Sequence, residues 1–121
     1  MTEEELQGLM EDTLDLQGWL WFHDRSLAYA KVKANRAGFP DLCAVHPVTG
    51  ATVFLELKSE KGKLTKDQEQ WGEALLKSPA IYAVIRPADA DRAIRRLGQL
   101  ADPLITRFGP VSDEPGAPAE S

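Results

Sequence analysis

The apolar residues near the start of the chain have the spacing of one face of a helix. They recur at three- and four-residue intervals: Leu6, Leu9, Met10 and Leu14. Thr2 precedes this pattern and Glu5 follows Thr2 by three residues, which is the spacing of a capping box. Gly18 is of the residue type that commonly ends a helix. The pattern therefore predicts a helix over residues 3–17.

Four shorter segments have the composition of β-strands. The first three lie at 19–23, 42–46 and 52–58, and the fourth, at 81–85, is a run of apolar and β-branched residues. A turn at Gly50 separates the second strand from the third. These two strands are therefore predicted to pair as an antiparallel hairpin.

Two further helices follow the third strand. Thr65 caps a predicted helix over 66–77, and Pro87 begins a helix that ends at about Leu97. The helix over 66–77 separates the third strand from the fourth by enough residues to place these two strands parallel. The element order is α-β-β-β-α-β-α, which predicts an α/β fold with a mixed β-sheet flanked by helices.

Length and composition fit one small domain. The 121 residues can bury a single core, which we place over residues 1–100. Residues 101–121 are rich in Pro, Gly, Ala and Glu, and we predict a largely disordered tail. The acidic N-terminus has no apolar segment typical of a signal peptide, no apolar run approaches the ~20 residues of a membrane span, and Cys43 is the only cysteine. These features predict a cytoplasmic protein without a disulfide or a membrane partner.

Candidate chemistry concentrates at the end of the third strand. Glu56 and Lys58 share a strand face at a separation of roughly 6.5 Å, and Asp41 precedes the second strand. Carboxylates are the ligands that Mg²⁺ prefers, and a nearby lysine can orient a water molecule or offset charge on a phosphate. The alternative is a surface ion pair of little energetic value, because a Glu and a Lys two residues apart also occur by chance.

The net charge of −5 is unevenly distributed. Residues 1–24 contain seven acidic and no basic residues, whereas residues 25–66 contain eight basic and three acidic ones. Phosphate binding requires local positive potential rather than a basic protein. We therefore expect a loop over 24–38 and the segment after Lys58 to contact a nucleic-acid backbone, and the alternative is an ordinary solvated loop. The predicted contacts are Arg25, Lys31, Lys33, Arg36, Lys61 and Lys63.

Three sequence elements occur in order along the chain. They are G-F-P-D-L from Gly38, E-L-K from Glu56 and L-T-x-x-Q-x-x-W from Leu64. Together they resemble the VRR-NUC domain of the PD-(D/E)XK nuclease superfamily, in its stand-alone phage-type form, from about Thr2 to Leu97. The resemblance implies a restriction-endonuclease-like fold and a metal-dependent endonuclease that hydrolyses DNA phosphodiester bonds. It suggests branched or flapped DNA as substrate and a homodimer as the assembly.

The same resemblance implies the roles of individual residues. Asp41, Glu56 and the backbone carbonyl of Leu57 would hold Mg²⁺ or Mn²⁺. Lys58 would position the attacking water, and Gln68 would hydrogen-bond a phosphate or a metal-bound water.

One acidic residue of the first helix is also implied at the metal. Glu5 is the candidate that we favour, and the sequence does not separate it from Glu3 and Glu4, since all three acids also suit the start of a helix. Two other functions remain open at this stage. They are a nucleic-acid-binding module that has kept the fold without catalysis, and a structural or interaction protein.

The first predicted strand contains two tryptophans, and a histidine ends the second predicted strand. Trp19 and Trp21 flank Leu20, and alternate residues of a strand share a face. We therefore expect both tryptophans on one exposed or interface face. His46 precedes Pro47 at a turn, and we expect its side chain to be exposed.

Overall fold

The computed structural model describes residues 1–23 and 37–108. Its elements in chain order are α1 (Glu3–Leu16), β1 (Leu20–His23), β2 (Leu42–Val45), β3 (Thr52–Leu57), α2 (Lys66–Leu76), β4 (Ile81–Ile85), a 3-10 turn (Pro87–Asp89), α3 (Ala90–Ala101) and α4 (Pro103–Phe108). The predicted order is confirmed. The helix expected from Pro87 is divided into the 3-10 turn and α3. The segment predicted as a tail begins with Ala101, the last residue of α3, and continues into α4. Residues 109–121 lie outside the described part.

The sheet has four strands in the order β1-β2-β3-β4. β2 pairs antiparallel with β3, and β3 pairs parallel with β4, as predicted. β2 also pairs antiparallel with β1. The β2–β3 turn contains Gly50 at φ 76°, a backbone conformation that favours glycine. Because β3 and β4 are parallel, the residues that follow both strands meet at one edge of the sheet.

One face of the sheet packs against α1 and α3 and forms the core. The predicted apolar stripe of α1 is buried there, and alternate residues of β3 meet it: Leu6, Met10 and Leu14 from α1, and Val53, Leu55 and Leu57 from β3. Glu56 lies between Leu55 and Leu57 and therefore points to the opposite face. α2 covers that face beside β4. In the described residues, no helix is long and apolar enough to span a membrane.

The tryptophans near β1 do not share an exposed face, so this prediction is wrong. Trp19 lies before the strand and is buried. Trp21 is half-buried and packs against the core, and its indole N–H donates to Asp15 Oδ1 at 2.7 Å. The solvent-exposed side chains of the strand are those of Leu20 and Phe22, at 62% and 59% exposure. Trp19 and Trp21 do lie on the same side, as strand alternation predicts, but that side packs against the core and not toward solvent.

His46 is buried, so its predicted exposure is also wrong. Its ring meets the Trp19 ring edge-on at a centroid distance of 5.2 Å. Its Nε2 lies 2.9 Å from the carbonyl oxygen of Gln17, and its Nδ1 lies 3.3 Å from the backbone nitrogen of Val48. These contacts join the end of α1 to the β2–β3 turn, a connection that local sequence does not encode.

Candidate active site

Asp41 and Glu56 face one another across neighbouring strands. Leu42 and Leu55 are register partners in the antiparallel pair, and the next position of the ladder places Asp41 opposite Glu56. Asp41 Oδ2 accepts a hydrogen bond of 2.8 Å from the backbone N–H of Leu57. This bond orients the Asp41 carboxylate toward the end of β3.

Glu56 is a buried carboxylate with one oxygen that is not hydrogen-bonded. Its side chain is 2% exposed. Its Oε1 accepts from Gln68 Nε2 at 3.2 Å, and its Oε2 has no hydrogen-bond partner among the described residues. A buried ionised carboxylate is costly unless a cation or donor compensates it. This oxygen therefore requires either a proton or a bound cation.

The electrostatics of the pair favour the proton when no cation is bound. The pKa of Glu56 is raised to about 8, first by burial and then by the neighbouring carboxylate of Asp41. The positive charge of Lys58 opposes this rise, and the negative charge of Glu3 adds to it. Glu56 is therefore mostly protonated at neutral pH when no cation is bound.

Gln68 connects the start of α2 to Glu56. Thr65 is the N-cap of α2, and its hydroxyl accepts from the Gln68 backbone N–H at 3.1 Å. Gln68 Oε1 accepts from the Thr65 backbone N–H at 2.9 Å, which completes a capping box. The amide nitrogen of the same side chain is left to donate to Glu56. The cap therefore determines where the amide lies.

The segment before Asp41 docks on α2. Gly38 has φ 84°, and a Cβ atom at this position would lie 2.4 Å from the carbonyl carbon of Asp67, so no larger residue fits. Phe39 meets the rings of Trp71 and Phe54 edge-on, at centroid distances of 5.0 and 6.0 Å. Trp71 Nε1 also donates to the carbonyl oxygen of Ala37 at 3.0 Å. These contacts explain why the Gly-Phe-Pro-Asp and Gln-x-x-Trp patterns occur together.

At the start of α1, the acids have different surroundings. Glu5 Oε1 accepts from the Thr2 backbone N–H at 2.9 Å, and the Thr2 hydroxyl accepts from the Glu5 N–H at 3.1 Å. These hydrogen bonds and the charge of the N-terminal amine lower the pKa of Glu5. The α1 acid whose charge acts on Glu56 is Glu3. Three consecutive acids give no sequence signal that separates these two roles.

Of the basic residues predicted to have a function, three lie in the described part of the chain and four do not. Lys58 is half-buried directly after β3, and its backbone N–H donates to the carbonyl oxygen of Ile85 at 3.0 Å. Lys61 and Lys63 are exposed on the loop that follows. The other predicted nucleic-acid contacts lie outside the described residues: Arg25, Lys31, Lys33 and Arg36.

Tyr82 is a neighbour of the site that sequence reasoning missed. Its hydroxyl is buried and has no hydrogen-bond partner among the described residues. Burial and the charges of Glu56 and Asp41 raise its pKa. Its ring fits beneath α2 at Gly72, where a Cβ atom would lie 2.8 Å from the ring and hydroxyl. A tyrosine in an apolar strand is typical of a core, so the sequence carries no signal for its proximity to the carboxylates.

The donor set fits a hard divalent cation. Within residues 1–23 and 37–108, no three His, Cys, Asp or Glu side chains form a metal-binding group. Mg²⁺, however, is commonly held by one or two carboxylates while water and phosphate oxygens complete its coordination. Asp41 and Glu56 supply two carboxylates, and the Glu56 oxygen without a hydrogen bond is suited to a cation.

Comparisons with known proteins agree with this geometry. A family model described as the VRR-NUC domain matches residues 9–89, which include Asp41, Glu56, Lys58 and Gln68. A solved structure described as a VRR_NUC domain aligns with a TM-score of 0.57 and 26% identity, covering 78% of this chain and 97% of that chain. No curated protein matches the chain. Since the family model spans more than half of its residues, the chain belongs to the VRR-NUC domain family.

Proposed function

We propose that this protein is a metal-dependent endonuclease that hydrolyses DNA phosphodiester bonds. The observation that carries the proposal is the buried Glu56, which lies opposite Asp41 and two residues before Lys58 in a nuclease-type fold. Its Oε2 has no hydrogen-bond partner within residues 1–23 and 37–108. Both carboxylates and the carbonyl oxygen of Leu57 would hold Mg²⁺ or Mn²⁺. The bound ion would lower the pKa of a water molecule and offset phosphate charge.

The chain's own residues prepare this site. Gln68 engages Oε1 of Glu56 and leaves Oε2 for the ion. The backbone N–H of Leu57 engages Oδ2 of Asp41. Lys58 orients the attacking water or stabilises the negative charge that develops on the phosphate, effects that are large where water is excluded.

An acid of α1 would act on the metal through a water molecule, since no three carboxylates form a metal-binding group among the described residues. Glu3 and Glu5 are the candidates, and Glu3 is the one whose negative charge adds to the raised pKa of Glu56. Glu5, the acid favoured from the sequence, would have to leave its hydrogen bond with Thr2 to bind a metal directly. Substituting each acid with Gln and titrating Mn²⁺ separates the two. Only the substitution of the acid that acts on the metal should lower the affinity for Mn²⁺.

We further propose branched or flapped DNA as substrate and a homodimer as the active assembly. An apolar patch on the β1–β2 edge of the sheet supports a second copy. Leu20 and Val45 are register partners, and both are exposed. Phe22 lies two residues further on the same strand face and is also exposed. The lysines beyond Lys58 support an anionic polymer as the substrate.

The test is a cleavage assay on labelled duplex, flap, four-way junction and single-stranded DNA, with Mg²⁺, Mn²⁺ or EDTA. We expect cleavage with either metal, none in EDTA, and none by Glu56→Gln. Glu73→Gln, at an exposed position of α2, is the matched control. Equal cleavage by Glu56→Gln and the control would overturn the proposal. DNA binding without cleavage under every condition would favour the non-catalytic binding module instead.

A further inference from the structure

The loop after Lys58 is held by an arginine from the neighbouring strand. We call residues 59–63 the lysine loop, since Lys61 and Lys63 lie on it. Arg86 directly follows β4, and one of its nitrogens, Nη1, donates to three carbonyl oxygens of this loop. The acceptors are those of Ser59 at 2.6 Å, Gly62 at 2.7 Å and Glu60 at 3.4 Å.

A second contact joins the same two segments. Glu60 Oε1 accepts from the backbone N–H of Ala88 at 2.9 Å. The backbone N–H of Arg86 donates to Asp89 Oδ2, also at 2.9 Å, so the segment that carries the arginine is itself ordered. Within the loop, the Gly62 N–H donates to the Ser59 carbonyl at 3.3 Å. The lysine loop therefore has a defined shape although it lies at the surface.

This shape presents two positive charges on the segment that follows Glu56 and Lys58. Lys61 and Lys63 are exposed, and no acidic side chain among residues 1–23 and 37–108 forms an ion pair with either. Lys58 directly precedes the lysine loop. Because three backbone carbonyls of the loop bind one guanidinium, the backbone that carries the lysines is ordered before any ligand arrives.

We propose that Arg86 is a positioning residue that holds the lysine loop as a contact for the phosphate backbone of DNA next to the cleavage site. This inference rests on the proposed function for the identity of the ligand. Arg86 acts through the loop because its Nη1 is engaged by three carbonyls. Ordering a loop in advance lowers the entropy lost on binding, so the lysines would bind weakly without it.

The test is duplex binding in EDTA, measured over a series of salt concentrations. Each duplex phosphate neutralised contributes a log–log slope of about −0.9. We expect Lys61→Met with Lys63→Met to flatten the slope by up to about 1.8 and to weaken binding on the order of tenfold. Arg86→Met should reproduce most of this loss. The triple variant should resemble the double variant, because the arginine would no longer have lysines to position.

Arg92→Met is the matched control. It removes one positive charge from an exposed position of α3 and should leave the slope unchanged. If Arg86→Met adds its full effect to that of the lysine substitutions, the arginine contacts phosphate itself and the proposal fails. Binding by Arg86→Met equal to that of wild type would also overturn it.

A second variant tests the loop without changing charge. Gly62→Pro removes the N–H that donates to the Ser59 carbonyl within the loop, so it should disturb the loop and flatten the salt slope. Normal binding by a folded Gly62→Pro variant would contradict the proposal, including the case in which Arg86→Met fails to fold. In cleavage assays, both variants should raise KM while keeping the single-turnover rate at saturating DNA. Because binding is measured without metal, failure of the nuclease proposal would leave this result standing.

Discussion

The helices α1 and α2 begin with the same capping motif, but the two caps have different roles. In α1, Thr2 and Glu5 exchange two hydrogen bonds, of 3.1 and 2.9 Å. In α2, Thr65 and Gln68 exchange the same two bonds at the same distances. The difference is a third bond, from Gln68 Nε2 to Glu56 Oε1 at 3.2 Å.

This difference shows why an amide rather than a carboxylate lies in the second cap. A carboxylate only accepts hydrogen bonds, whereas an amide accepts through its oxygen and donates through its nitrogen. Gln68 can therefore cap α2 and hold Glu56 at once. Glu5 can only cap its helix, where its negative charge favours the helix dipole. The same local sequence pattern thus supports stability in α1 and positions a buried charged group in α2.

The largest expected effect comes from Lys58, a positive charge near the α2 cap that has no counterpart in the sequence around the α1 cap. Lys58→Ala should lower cleavage at least about a hundredfold, on the scale of losing one charge-stabilising group. Folding should be nearly intact, because the side chain is half-buried at the polar end of β3. Single-turnover cleavage measures the loss, with exposed Lys77→Ala as the control. Near-normal turnover by a folded Lys58→Ala variant would refute the assigned role.

The next effect comes from exchanging the two cap residues. Gln68→Glu keeps the cap but replaces the donor to Glu56 with a third negative charge, and should lower the free energy of unfolding by about 1–3 kcal/mol. Glu5→Gln keeps an acceptor for Thr2 and should change stability little. Urea denaturation without metal measures both, and added Mn²⁺ should recover part of the Gln68→Glu loss. Equal changes in the two variants would mean that the caps are equivalent.

The carboxylates at the two caps, Glu5 in the α1 cap and Glu56 beside the α2 cap, also differ in how they make stability depend on pH. The pKa of Glu56 is raised to about 8, so its protonated form stabilises the fold below the unfolded pKa of about 4.3. This contribution is lost as pH rises through 8, by up to about 1.4 kcal/mol per pH unit. The pKa of Glu5 is lowered, so its contribution has the opposite sign and is lost as the pH falls.

Urea denaturation in EDTA from pH 5 to pH 8 tests the sign. Stability should fall with rising pH in wild type and in Glu5→Gln, and this fall should be absent in Glu56→Gln. A wild-type protein that gains stability across this range would contradict the raised pKa of Glu56.

The smallest effect concerns the two cap threonines. Thr2→Ala and Thr65→Ala should each lower the free energy of unfolding by about 1 kcal/mol, the usual cost of an N-cap. Only Thr65→Ala should also lower the cleavage rate, since Gln68 loses the bond that holds its side chain near Glu56. Rates measured at matched fractions of folded protein separate the two effects, and equal rates would show that the cap does not position the amide.

Much of the fold follows from periodicity and caps in the sequence. The predicted helix over 3–17 is Glu3–Leu16, the predicted strand over 81–85 is Ile81–Ile85, and the parallel pairing of β3 and β4 follows from the length of the crossover. Both capping boxes involve residues only three positions apart, so local sequence suffices to predict them. The order of Asp41, Glu56 and Lys58 in their motifs likewise identifies the carboxylate pair.

Contacts between distant residues could not be predicted in this way. Arg86 contacts the lysine loop, which lies more than 20 positions earlier in the chain, and Tyr82 packs beneath α2. No sequence pattern marks either contact. His46 was expected to be exposed because it precedes Pro47, yet it is buried by the end of α1. The choice between Glu3 and Glu5 depends on how α1 meets the sheet, which is a property of packing.

Proton release on metal binding tests the carboxylate pair most directly. With a pKa of about 8, Glu56 is mostly protonated at pH 7, and a cation must displace that proton to bind. Calorimetric titration of Mn²⁺ at pH 7, in buffers of different ionisation enthalpy, should show release of about one proton by wild type and by Glu5→Gln. Asp41→Asn and Glu56→Gln should each bind more weakly, and Glu56→Gln should release none. Metal affinity unchanged in both variants would contradict a metal site at Asp41 and Glu56, and binding by wild type without proton release would contradict a protonated Glu56 in the metal-free protein.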